Sequence, residues 1–130
     1  MNPDTFRKYC LSKKGVTEDT PFRESTIVFR VGTKIFALTD IERILFSFNL
    51  KCDPELAIEP RERYECISPG WHMNKKHWNT IHPDSSISDK AILEMIDHSY
   101  ELVYNSLSNR EKEKIKLFTA YRNDDCPHNC

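Results

Sequence analysis

The spacing of hydrophobic residues along the chain predicts two long helices on either side of a group of strands. The first helix is predicted from Pro3 to Lys14, where apolar side chains recur at helical spacing. The second is predicted from Ser88 to about Leu107. Its buried stripe consists of Ile92, Ile96, Ser99, Val103 and Leu107.

The segments between these helices have the β-branched and aromatic content of strands. They cover residues 26–31, 34–38, 46–51 and 77–81, and Gly32-Thr33 connects the first two as a tight hairpin. Asp53-Pro54 predicts the start of a short helix, which Pro60 should end or kink near Glu59. The order α-β-β-β-α-β-α favours a two-layer α+β fold, with an antiparallel sheet covered by helices on one side.

Length and composition are those of a single globular domain. The chain has 130 residues, of which 38% are hydrophobic and 30% charged. After Leu107 the sequence becomes rich in Glu, Lys and Arg. We therefore predict one domain over residues 1–107 and a charged extension over 108–130, helical to about Arg122 and frayed from Asn123 onwards.

The charge balance and the cysteines limit the classes of partner and compartment. A net charge of -1 excludes a global electrostatic attraction to nucleic acid or to an anionic membrane, so such a partner would need a local patch. No apolar run is long enough to span a bilayer, and the N-terminus has no features of a signal peptide. Five cysteines without a CxxC pair indicate free thiols, and we expect a cytoplasmic protein.

Few residues suggest enzymatic or cofactor chemistry. The three glycines are accounted for by a helix cap and turns, which excludes glycine-rich phosphate loops. His72, His77 and His82 are spaced by five residues and so point to different faces of a strand or helix, which disfavours a metal site. No sequence spacing between a candidate nucleophile and a candidate base indicates a catalytic pair. We expect no enzymatic activity, no cofactor and no metal.

One segment departs from the average composition. No acidic residue lies between Glu65 and Asp84, and this stretch contains two lysines, both tryptophans and three of the five histidines. Basic residues interleaved with aromatic ones can contact phosphates and stack on bases. A turn with core tryptophans and solvated lysines explains the same composition.

The residues of this segment also resemble a known family. His72-Met73-Asn74-Lys75-Lys76-His77-Trp78-Asn79-Thr80 is similar to the signature stretch of the MmcQ/YjbR family of small bacterial proteins, and stretches 15–22, 31–38, 50–55 and 96–103 support the match. The resemblance implies a two-layer α+β fold similar to type III secretion chaperones and to frataxin-type proteins. It also implies DNA binding through a double wing of hairpins, without enzymatic activity.

We therefore predict weak, largely sequence-independent DNA binding, with another protein as the alternative partner. The predicted nucleic-acid contacts are Arg30, Lys34, Asn74, Lys75, Lys76, His77 and Trp78. Lys34 would belong to one wing, and residues 74–79 would flank the other. The main alternative is a protein- or peptide-binding module of secretion-chaperone type that uses an exposed sheet face. A third hypothesis is a ligand or enzymatic pocket formed by Cys66, His72, His77 and Trp78.

Overall fold

The backbone follows the predicted order of helices and strands, with two short strands added. A computed structural model describes residues 1–70 and 73–125, with side-chain surroundings up to residue 117. The helices are α1 (Pro3–Leu11), α2 (Ile58–Arg63), α3 (Asp89–Ser106) and α4 (Asn109–Asp125). The strands are β1 (Val16–Asp19), β2 (Thr26–Val31), β3 (Lys34–Asp40), β4 (Phe48–Lys51), β5 (Ile67–Pro69) and β6 (Trp78–Ile81).

The strands form one antiparallel sheet in the order β1-β2-β3-β4-β6-β5. This confirms the predicted α+β class. The sequence pattern missed the two edge strands, β1 and β5, which have only four and three residues. Segments this short contain too few alternating positions to stand out from a loop.

The core lies between one face of the sheet and helices α1 and α3. Phe6 of α1 stacks on Phe48 with ring centroids 4.3 Å apart and meets Phe29 edge to face at 5.7 Å. The predicted stripe of α3 is buried, since Ile92, Ile96, Ser99 and Val103 are all inaccessible or nearly so. Buried Ser99 satisfies its hydroxyl by donating to the Phe36 carbonyl at 2.6 Å.

The predicted start of the short helix at Asp53-Pro54 is wrong. The Asp53 carboxylate instead accepts a hydrogen bond from the backbone N–H of Glu55 at 2.9 Å and stabilises a turn. Helix α2 begins at Ile58, so Pro60 lies in its first turn, where the missing N–H has no intrahelical acceptor to lose. The helix therefore continues through Pro60 to Arg63, and the predicted kink or early end near Glu59 is wrong as well.

Helix α4 continues three residues beyond the predicted end at Arg122, and it packs on the domain. Its Ile115 is buried against Gly15, and Leu107, just before the helix, packs against Gly32. The Glu111 carboxylate accepts hydrogen bonds from the backbone N–H and the hydroxyl of Thr33, at 3.2 and 2.7 Å. The division of the chain at residue 107 stays a prediction, and residues 126–130 lie outside the described part.

Candidate functional site

The face of the sheet opposite α1 and α3 carries an open groove of about 790 Å³. Strand alternation places on this face the side chains that pair across β3, β4 and β6, such as Leu38, Asn49 and Thr80. We call this cavity the open-face groove. Its lining consists of Phe22, Arg23, Thr26, Leu38, Asp40, Arg43, Ser47, Asn49, Ser68, Met73, Asn74, Trp78, Thr80 and His82.

The open-face groove runs from one end of the strands to the other. At one end lie Arg23 and Arg43, from the loops that precede β2 and follow β3. At the other end lie Met73, Asn74 and Trp78, where β6 begins. The two arginine side chains at the groove therefore come from loops that are far in sequence from the basic segment. Asp40 is the one acidic residue among the described lining residues.

The floor of the groove between these ends is rich in hydrogen-bonding groups. Thr80 donates its hydroxyl to the side-chain oxygen of Asn49 across the β4–β6 pair. That contact uses the Asn49 oxygen, so Asn49 offers a ligand its amide N–H groups. Thr26 and Ser68 add hydroxyls from neighbouring strands. The floor can therefore hydrogen-bond a polar, planar ligand.

Trp78 belongs mainly to the wall of the groove. It is 7% exposed, and the Lys51 ammonium lies 5.2 Å from the centre of its ring. Its backbone carbonyl accepts a hydrogen bond from Gly70 at 2.9 Å, and a Cβ at Gly70 would come within 2.9 Å of the Trp78 Cβ. Packing therefore holds Trp78 in place. Trp71 and His72 lie outside the described residues.

The turn before β6 presents the predicted basic residues to solvent. Asn74, Lys75 and Lys76 are exposed, and the Asn74 side chain accepts a hydrogen bond from the backbone N–H of Lys76 at 3.0 Å. His77 is half-buried, and its carbonyl accepts from the Cys52 N–H at 2.7 Å. The turn is thus held by backbone contacts that leave Lys76 in water.

Arg61 of α2 fixes the position of this turn, a role that the sequence did not indicate. Its guanidinium donates to the Lys75 carbonyl and, at 3.2 Å, to the Trp78 carbonyl. It also donates to the buried Asn79 side chain at 2.6 Å. Arg61 and Lys75 are separated by 14 positions in the sequence, so no local pattern indicates this contact.

Arg30 and Lys34 lie on the β2–β3 hairpin, and both are engaged within the chain. Arg30 forms an ion pair with Asp19 of β1 at 3.3 Å. Lys34 donates to the carbonyl and hydroxyl of Ser106 at 3.1 and 3.2 Å, at the C-terminal end of α3. A cation is favourable there because the helix dipole is negative at that end. Neither residue lines the open-face groove.

The third hypothesis, a pocket joining Cys66 and His77, has no geometric support. Cys66 precedes β5 and lies beside Ile81 and His82, whereas His77 lies at the other end of β6. The Cys66 thiol contacts the Ser86 hydroxyl at 3.9 Å, and burial raises the pKa of this thiol. Cys10 and Cys52 are free and buried too, and burial raises the pKa of Cys10 to about 12.

The described residues contain no group of three or more His, Cys, Asp or Glu side chains arranged to hold a metal ion. Over the same part of the chain, no helix has the length and apolar character needed to cross a membrane.

The family model YjbR matches residues 11–102 of the chain. The chain belongs to the YjbR family. This confirms the MmcQ/YjbR resemblance seen in the sequence. The uncharacterised protein YbdF of Escherichia coli O157:H7 is 34% identical over 113 residues, which cover 87% of this chain and 93% of that protein. The uncharacterised protein YjbR of Escherichia coli K12 is 31% identical over 108 residues, covering 83% and 91%.

Solved structures of similar proteins have the same fold. A crystal structure of a Deinococcus radiodurans protein, described by the domain model DUF419, matches with a TM-score of 0.80 and 34% identity, covering 87% of this chain and 86% of that one. A Pseudomonas syringae protein matches with a TM-score of 0.68 and 30% identity, covering 79% and 99%. The fold of this YjbR-family chain is therefore shared by solved structures of two bacterial proteins.

Proposed function

We propose that this YjbR-family protein is a non-enzymatic binding module that holds single-stranded DNA in the open-face groove, weakly and with little sequence preference. The observation that carries the proposal is the pairing of cations at both ends of the groove with a hydrogen-bonding floor between them. Arg23 and Arg43 lie at one end, and the exposed turn with Lys75 and Lys76 lies beside the other. A strand along the floor would meet positive charge at both ends of its path.

The lining of the groove suits nucleotides. Phe22 is 70% exposed, so its ring is accessible to a base that stacks on it. The amide of Asn49 and the hydroxyls of Thr26 and Ser68 can hydrogen-bond base edges or sugars. Hydroxyls and amides adapt to several bases, which supports weak sequence preference.

The contacts of the hairpin favour the groove over a wing that reads duplex DNA. A wing needs basic side chains that project from the hairpin, whereas Lys34 is bonded to Ser106 and Arg30 to Asp19. Thr33 at the tip is held by Glu111. The predicted roles of Arg30 and Lys34 as direct contacts therefore receive less support than those of Asn74, Lys75 and Lys76.

The edges of the sheet do not favour a peptide bound by strand addition, a mode distinct from the predicted alternative that uses an exposed sheet face. Addition of a peptide strand needs a free edge with regularly spaced donors and acceptors. Strand β5 has three residues and ends in Pro69, which has no N–H to donate. Strand β1 has four residues, and its Glu18 side chain is paired with Arg7 of α1.

Fluorescence anisotropy with a labelled strand of about 12 nucleotides tests the proposal. At about 50 mM salt we expect binding in the micromolar range or weaker, and weaker still for the same sequence as a duplex. Lys75→Glu with Lys76→Glu should reduce the affinity at least tenfold, because phosphates near the turn would meet two negative charges. Ser68→Phe should reduce it similarly by filling the groove.

The matched control is Lys114→Glu with Lys116→Glu, which makes the same charge change at two exposed positions of α4. It should bind like the wild type apart from a small general loss. Absence of binding at low salt would contradict the proposal. Equal losses in the turn variant and the α4 variant would contradict it too, since they would show only a net-charge effect.

A further inference from the structure

The loops at one end of the sheet carry an exposed cluster of large apolar side chains. Ile44 and Leu45 are 101% and 76% exposed, and Phe22 and Ile41 are exposed by more than half. We call Phe22, Ile41, Ile44 and Leu45 the apolar collar. Among the described residues, three other large apolar side chains are more than half exposed, and these lie on α4 and around the start of α2.

The two loops of the apolar collar are joined to each other. The backbone N–H of Ile41 donates to the Ser25 carbonyl at 2.8 Å, which ties the end of β3 to the start of β2. Phe46, at the end of the second loop, packs on Phe6 and Phe48 in the core. The collar therefore stands on an anchored base, and a group of large apolar side chains exposed on adjoining loops is typical of an interaction surface.

The charges within the collar are balanced. Arg23-Glu24 follows Phe22, and Glu42-Arg43 lies between Ile41 and Ile44. In the described part of the chain, none of these four side chains takes part in an ion pair. The patch thus offers two cations and two anions beside its apolar side chains, each without an oppositely charged partner.

From this arrangement we propose that the apolar collar is the contact surface of a homodimer, in which a second copy of this chain is the partner. In a two-fold interface the same patch meets itself, so the patch must be complementary to itself. Apolar side chains meet apolar side chains, and the arginines of one copy can meet the glutamates of the other. An anionic membrane would instead favour a patch with an excess of cations.

The small size of the collar sets the expected strength. Four side chains and their charged neighbours make an interface at the low end of the range for specific contacts, where association is weak. We therefore expect monomers at low concentration and dimers at high concentration. Phe22, Arg23 and Arg43 belong to the loops of the collar and also line the groove, so dimerisation and the proposed binding of DNA would compete for these side chains. The dimer itself does not depend on the proposed binding of DNA.

Sedimentation equilibrium without nucleic acid tests the dimer. The mass of the wild type should rise from 15.3 kDa towards twice that value as its concentration increases. Ile44→Asp with Leu45→Asp should remain monomeric at every concentration. At low concentration, where the wild type is monomeric as well, it should keep the wild-type melting temperature, because these side chains are outside the core. Leu56→Asp, at a position 57% exposed beside α2, is the matched control and should dimerise normally.

A charge exchange tests whether the partner is a second copy. Glu24→Arg with Glu42→Arg and Arg23→Glu with Arg43→Glu should each be monomeric, and mixing the two should restore dimers of one copy of each. A wild type that is monomeric at all concentrations would overturn the proposal. So would dimers that persist in Ile44→Asp with Leu45→Asp, or a charge-exchanged mixture that stays monomeric. DNA binding by a strictly monomeric protein would overturn the dimer alone and leave the proposed function standing.

Discussion

Trp78 lies in the segment between Glu65 and Asp84 that is rich in basic and aromatic residues. Its surroundings are mainly those of a core residue. One of its faces is covered by Lys51, and its backbone binds both Gly70 and Arg61. The ring is 7% exposed and forms one wall of the groove. A residue of this kind supports a binding surface by holding its wall in place.

Replacing Trp78 tests this structural role. Trp78→Ala should lower the free energy of unfolding by about 3–5 kcal/mol, because a large buried ring leaves a cavity. Urea unfolding followed by far-UV circular dichroism measures the change. Unchanged stability together with lost DNA binding would instead make Trp78 a direct contact.

Asp97 illustrates a polar contact that joins two helices. It forms an ion pair with Lys13 and accepts a hydrogen bond from the Tyr9 hydroxyl at 2.6 Å, which links the end of α1 to α3. Burial by itself raises the pKa of the Asp97 carboxyl, but the hydrogen bonds from Lys13 and Tyr9 outweigh it and hold the pKa below its ordinary value. The contact therefore stabilises the folded state when Asp97 is ionised.

The pH dependence of stability follows from the sign of this shift. A lowered pKa contributes stability above the unfolded value, near pH 4, and the contribution is lost as the pH falls through the folded value. Asp97→Asn should cost about 1 kcal/mol or less at pH 7, since the pair is partly exposed. Its free energy of unfolding should also fall less between about pH 4 and pH 2 than that of the wild type. Parallel pH profiles of the two proteins would contradict this assignment.

At the scale of elements, helix α4 holds the end of the sheet where the β2–β3 hairpin turns. Ile115 packs on Gly15 and Glu111 binds Thr33, so one helix contacts both the start of β1 and the hairpin tip. Gly15 and Gly32 have positive φ angles of 75° and 61°, and a Cβ at Gly15 would clash with Ile115 at 2.9 Å. The charged composition of this segment gives no indication that one side of helix α4 packs against the rest of the chain.

Two substitutions on the same helix measure this packing. Ile115→Ala should cost about 2 kcal/mol, because Ile115 is buried, although it lies at the edge of the core. Leu117→Ala is the control, since Leu117 is 68% exposed, and it should change the stability by less than about 0.5 kcal/mol. Thermal or urea unfolding of the full chain gives both values. Equal effects of the two changes would show that α4 does not pack as described.

At the scale of the whole molecule, the distribution of charge matters more than its sum. The net charge of -1 offers no general attraction to DNA, yet Arg23 and Arg43 line one groove, and Lys75 and Lys76 directly follow Asn74, which lines it as well. The acidic side chains elsewhere on the surface limit any long-range attraction. Binding should therefore depend on a few short-range phosphate contacts.

The salt dependence of the proposed DNA binding measures the number of phosphate contacts. About three or four phosphates on a single strand predict a slope of about -2 to -3 in a plot of log affinity against log salt concentration. Titrations by fluorescence anisotropy at several salt concentrations measure this slope. Lys75→Glu with Lys76→Glu should flatten it, whereas a slope near zero in the wild type would show that phosphate contacts do not drive the binding.

The amino-acid sequence by itself determined the parts of this protein that depend on local pattern. The 3.6-residue periodicity of α3 predicted which side chains are buried, because a helix buries one face wherever it packs. Gly32-Thr33 predicted the hairpin, since few residue pairs allow so tight a turn. The stretch from His72 to Thr80 indicated the family, which the match over residues 11–102 confirmed.

Only the tertiary structure determined which residues distant in sequence come into contact. Arg23 and Arg43 reach the same groove as Asn74 because the strand order β3-β4-β6-β5 sets the loops around one face of the sheet. Arg61 binds the basic turn at a sequence separation of 14 residues, and Lys34 binds Ser106 at a separation of 72 residues. Contacts at such separations depend on strand register and helix packing, which no local run of residues encodes.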